Sequence, residues 1–181
     1  TQRSTLFPYT TLFRSAIVLA VAGNEGWRWW QDSSSSRSAQ QFYDAQALAE
    51  TGDIAGAQLA LDKLEADGSS SYPLLARFRE AGLLARDGKQ AEAVAAYDAL
   101  ATGQSDRNLR ELALVLAGYA LVDGGDVAAV EQRVGSIAAT ADSPLRNAAR
   151  EALGLVKYKA GDLAAAVTDF DAVINDPASS Q

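Results

Sequence analysis

The stretch ALGLVKYKAGDLAAAVTDFDAVINDP, Ala152 to Pro177, places a single glycine, Gly161, between two segments with apolar residues at helical spacing. Gly154 stands seven residues before it; Ala166, Phe170 and Val173 stand five, nine and twelve residues after it. Those offsets fall on one face of an α-helix, so the second segment carries one apolar stripe. The glycine suits the left-handed residue that ends a helix and turns the chain. The stretch predicts a helical hairpin.

The pattern recurs upstream around Gly52 in ETGDIAGAQLAL, Gly88 in ARDGKQAEAVAAY and Gly125 in LVDGGDVAAVEQRV, with separations of 36, 37 and 36 residues along the four glycines. Ala57, Ala93, Val130 and Ala166 hold the position five after the glycine, and Leu61, Tyr97, Val134 and Phe170 the position nine after. Seven before the glycine the residue is always small: Ala45, Ala81, Gly118, Gly154. A small residue midway along the first helix and another in the second let the two backbones approach, and the large residue at nine is expected to fill the space between neighbouring units. Pro73, Pro144 and Pro177 fall where units join, where proline starts or stops a helix. One hairpin alone leaves its stripe wet, so stacking must build the core. The expected fold is an all-α solenoid of about four helical hairpins, over about 39–67, 73–102, 107–140 and 144–176.

Small at minus seven, glycine at the turn, alanine at plus five, aromatic at plus nine and a closing proline resemble the tetratricopeptide pattern over roughly residues 38–178. The fourth unit fits best. The third departs most, with Val130 and Val134 in place of the small and aromatic residues, and the units exceed the usual length of about 34.

Composition agrees. The chain has 181 residues, 48% hydrophobic and 22% charged, as for one globular domain. It has no Cys, hence no disulfide framework or thiolate chemistry, and no His, which removes the commonest general base and metal ligand. The net charge is −7; setting aside Arg3, Arg14, Arg28 and Glu25 of residues 1–30 leaves 13 basic against 22 acidic residues. Such a domain repels phosphate backbones, which argues against nucleic acid and leaves room for steering of a basic partner.

The N-terminal end reads differently. Residues 16–23, AIVLAVAG, are followed by Trp27, Arg28, Trp29 and Trp30. An apolar run that ends in indole rings is how a transmembrane helix leaves the bilayer, yet eight residues of helix rise only about 12 Å against a span of ~30 Å. The reading is a truncated transmembrane anchor with a Trp belt over 16–31, the alternative being the remnant of a cleaved signal peptide. TLFPYTTLFRS, Thr5 to Ser15, resembles the translation of a sequencing-adapter oligonucleotide, so residues 1–15 are read as an artefact and kept out of fold reasoning. Residues 32–38, DSSSSRS, are read as a polar linker. With no Met at position 1 the chain is expected to be a fragment, and after NDPASSQ a polar-faced capping helix is expected to be missing.

Anchor, Trp belt, linker and divergent Ala-rich repeats together resemble one bacterial family of single-pass inner-membrane proteins with a periplasmic tetratricopeptide-like domain. It includes the ancillary subunit of the SecYEG translocon and the periplasmic cell-division coordinator. The resemblance implies a cytoplasmic N-terminus, a periplasmic repeat domain, and contact with the translocon and periplasmic chaperones.

Catalysis finds no foothold. Asp169 and Asp171 are two apart on a helix and do not face each other. DGGD at 123–126 lacks the further ligands of a calcium loop, ARDGKQ lacks the rest of a phosphate loop, and a Ser nucleophile would have only lysines as base. Asp53, Asp126 and Asp162 follow turn glycines and are placed to stabilise the next helix's N-terminus. No enzyme, cofactor, metal or small-molecule substrate is expected. The concave face, lined by first helices, offers Phe42, Phe78, Arg86, Tyr119, Tyr158 and Lys159 as a candidate partner groove; the bland reading makes the aromatics inter-repeat core. The expected function is a membrane-tethered scaffold that binds proteins in export. Alternatives are an envelope-assembly or cell-division coordinator that binds peptidoglycan-synthesis machinery, or a simple oligomerisation module.

Overall fold

The computed structural model describes residues 33–177. They form eight α-helices: α1 through residues 33–50, α2 Ile54–Asp67, α3 Tyr72–Arg86, α4 Gln90–Gly103, α5 Arg107–Leu121, α6 Val127–Ala139, α7 Arg146–Lys159 and α8 Leu163–Ile174. A 3₁₀ turn, Val122–Gly124, intervenes between α5 and α6. Successive helices pack on each other along the chain, so four hairpins stack in sequence order. This is the all-α solenoid expected from the repeat.

The turns explain the spacing. Gly52, Gly88, Gly125 and Gly161 all have positive φ, from 68° to 89°, the left-handed region that glycine enters at least cost. In the first, second and fourth turns the amide after the glycine donates back to a carbonyl five residues earlier: Asp53 to Leu48, Lys89 to Leu84 and Asp162 to Lys157, each at 2.9 Å. Paired with the glycine's own amide bond, this is the Schellman closure of a helix. The third turn inserts the 3₁₀ turn instead, which accounts for the separation of 37 rather than 36. Asp53, Asp126 and Asp162 each accept from a backbone amide three residues on, at 2.9, 3.0 and 3.1 Å, as N-caps. Asp106 does the same for α5.

Three apolar clusters make the core, and each joins one hairpin to the first helix of the next. The first holds Leu61, Leu64 and Leu83; the second Tyr97, Leu100 and Ala113; the third Val130, Val134 and Val156. The small positions at minus seven are all buried. A Cβ on Gly118 would stand 2.8 Å from Val134 Cγ1, and one on Gly154 would stand 2.7 Å from Phe170 Cε1. In the third and fourth units the residue at plus nine therefore seats on the small residue of its own hairpin, and in the first three units it also belongs to a cluster shared with the first helix of the next, between units as the offsets suggested. In the third unit glycine at minus seven makes room for the valines at plus five and plus nine, which is why its departure from the pattern is tolerated.

Residues 33–38, read as a linker, belong to α1: Ser38 is buried and its hydroxyl meets Ser69 Oγ at 3.1 Å and accepts from the Ser69 amide at 3.0 Å. The anchor and adapter readings, 16–31 and 1–15, lie outside the described residues. Among the described residues no helix is long and apolar enough to cross a membrane.

Candidate interaction face

The first helices, α1, α3, α5 and α7, share one face of the stack, and the six candidate groove residues lie on them. Phe42 is half-buried against the first core cluster, its ring 6.3 Å from that of Tyr72. Phe78 is half-buried against the second, 6.5 Å from the Tyr97 ring. Tyr119 is half-buried against the third. Burial and the adjacent Glu151 carboxylate push its hydroxyl up to about 12. Arg86, Tyr158 and Lys159 are exposed, Tyr158 by 59%.

The structure divides the set. Phe42 and Phe78 each pair with a ring of the neighbouring core. Tyr119 and Lys159 instead belong to a seam between the third and fourth hairpins, where Tyr119 faces Glu151 and the Lys159 ammonium meets Asp123 Oδ1 at 2.9 Å. Asp123, Glu151 and Gly82 escaped sequence reasoning. The signal for Asp123 is the extra residue in DGGD, which sits in the 3₁₀ turn; for Gly82 it is a second small residue beside Ala81.

A cleft of about 350 Å³ opens on this face between the second and third hairpins. Gly82 and Ala85 of α3 with Leu116 and Ala120 of α5 give it apolar walls; Gln90, Tyr97, Tyr119 and Asp123 supply its polar groups. The Tyr97 hydroxyl comes 3.3 Å from where a Cβ on Gly82 would stand, so the missing side chain leaves this otherwise buried hydroxyl in the cleft wall. Burial pushes that phenol up, with Arg79 nearby acting in the opposite sense, so it is a neutral donor near pH 7.

Several other charges are tied into structure. Asp176, buried, receives the guanidinium groups of both Arg146 and Arg150, the latter at 2.8 Å. Glu111, also buried, accepts from Ser143 Oγ at 2.6 Å and Arg107 Nε at 2.7 Å, while Arg107 reaches Asp142 at 3.1 Å. Arg133 clamps Asp98 through two nitrogens, at 2.7 and 3.0 Å, and ties the second helices of neighbouring hairpins. Among the described residues no three metal-ligating side chains converge. These polar groups pair with each other across hairpins, while the cleft between the second and third hairpins is wide enough to receive a side chain.

The model of the family described as tetratricopeptide repeat-like domain matches residues 9–181 of the chain. No curated protein and no solved structure matches it.

Proposed function

The chain belongs to the tetratricopeptide repeat-like domain family, and from that premise we propose that it is a membrane-tethered scaffold for Sec-dependent export. Domains of this family are non-catalytic modules of protein–protein interaction, so binding of proteins is the coarse function. The finer reading places the repeats in the bacterial periplasm, anchored in the inner membrane through residues 16–31, with translocon and periplasmic chaperone polypeptides as partners. Its support is the apolar run ahead of three tryptophans, the family resemblance of that arrangement, and a family match that runs through the same segment.

The observation that carries the scaffold reading is the first-helix face. Four stacked hairpins align it, half-buried aromatics stiffen it, and exposed Tyr158, Arg86 and Lys159 crown it. A photo-crosslinking residue at Tyr158 tests the proposal in bacterial cells, with Leu59, 71% exposed on α2, as the off-face control. Translocon or chaperone polypeptides crosslinked from Tyr158 in the membrane fraction, and absent from Leu59, are the expected result. Equal adducts from both positions, or a protein found only in the soluble fraction, would overturn the respective halves of the proposal.

A further inference from the structure

The cleft between α3, α4 and α5 has a chemical character of its own. We propose that it takes one basic side chain, lysine or arginine, from a protein lying along the first-helix face. The inference rests on the interaction-scaffold reading for that face and adds the identity of the group received.

Four observations converge on it. The cleft, about 350 Å³, is more than ten times the ~30 Å³ share of one water, so a long side chain fits. Its walls, Ala85, Leu116 and Ala120 with the bare Gly82, are apolar and small, which suits the methylene stem of a basic residue whose head stays wet. The polar groups at hand are two phenols, one carboxamide and one carboxylate, and no cation is among the lining residues. The phenol oxygens can accept from a cationic head, beside the carboxylate. An acidic side chain would meet the Asp123 carboxylate, whose one partner is the exposed Lys159 ammonium at its rim, and the net charge of −7 steers basic segments towards the molecule.

Asp123 is held ready. Its side chain is 80% exposed, and Lys159 engages Oδ1, so Oδ2 remains open to a second donor. The existing pair is solvent-exposed on both sides and holds Asp123 only weakly. Lys159 is thus a competitor for the incoming cation, and its removal should strengthen binding where a purely structural pair would leave binding unchanged.

The test is a ¹⁵N–¹H titration of the full chain with N-acetyl-arginine and N-acetyl-lysine methylamides, with the norleucine and glutamate analogues as controls. The basic probes should give saturable shifts at Gly82, Leu116 and Asp123, weakened by added salt. Asp123→Asn should weaken them about five-fold, and Lys159→Ala should tighten them about two-fold. Gly82→Leu should abolish them while the helical circular dichroism is retained. Equal response to norleucine, indifference to Asp123→Asn, or no shifts at all would each overturn the proposal. Failure of crosslinking from Tyr158 with the titration intact counts against the scaffold reading alone; the reverse result counts against the cleft alone.

Discussion

At Gly154 the fourth hairpin has no room for a methyl group, because a Cβ there would stand 2.7 to 2.9 Å from three atoms of the Phe170 ring. Two effects oppose each other in Gly154→Ala. Helix propensity gains about 1 kcal/mol, and overpacking costs about 1–3 kcal/mol. The ring is only half-buried, so it yields in part, and a net loss of about 1 kcal/mol is expected in urea denaturation. Phe170→Leu in the same background should recover most of that loss, a coupling that a double-mutant cycle reads directly. A stabilised Gly154→Ala would show that the two helices are not in close contact. The requirement for a small residue at minus seven was legible in the sequence. Its partner was not, because an offset gives the face of a helix but not which neighbour meets it. Gly82 makes the contrast: a Cβ there finds only the Tyr97 hydroxyl at 3.3 Å, so its smallness opens a cleft rather than a helix contact.

Among elements, what the sequence showed and what it concealed divide by sequence distance. Helix ends are local, so glycine turns and Asp caps could be read from the chain. Asp162→Ala, which removes the acceptor 3.1 Å from the Ala165 amide, should cost about 1 kcal/mol and fray α8 first. Glu111 is the opposite case. In the sequence it is one more acid on an amphipathic helix, because its partner Ser143 lies 32 residues away. Burial alone would raise its carboxyl pKa, but the Ser143 hydroxyl and the Arg107 guanidinium outweigh burial and hold it below the usual carboxylate range. Asp142 is depressed as well, by the same Arg107. A carboxylate with a depressed native value stabilises the fold fully above its ordinary value of about 4.5 and loses that contribution as pH falls through the native value. The junction between the third and fourth hairpins should therefore weaken below about pH 4.5. Thermal melts from pH 6 to pH 3 check this, wild type against Glu111→Gln: the variant should start lower and lose less. A parallel loss in both would mean that other carboxylates carry the acid sensitivity.

On the scale of the whole molecule, stability follows from how many neighbours each hairpin has. The second helices α2, α4 and α6 are each covered by the first helix that follows, and their residues at plus nine and plus twelve are buried: Leu61 and Leu64, Tyr97 and Leu100, Val134 and Ile137. In α8 the equivalent Phe170 and Val173 are only half-buried, and Leu163, Val167 and Ile174 are exposed by 57, 56 and 73%. The described residues pack α8 chiefly on α7. In a stack where each unit is stabilised by its own packing and by its nearest neighbours, a helix with one covered side opens at lower free energy than the rest. Hydrogen exchange should accordingly be fastest in α8 among the second helices, and slowest in α4 and α6. Leu100→Ala, which empties a side chain 1% exposed at the centre of the stack, should cost about 2–5 kcal/mol and accelerate exchange in helices on both sides of it. Val167→Ser and Ile174→Ser together should leave the exchange of α4 and α6 unchanged. If Leu100→Ala affected α4 alone, the hairpins would be independent units, and neither the aligned first-helix face nor the cleft between its second and third hairpins would have a rigid frame to hold it.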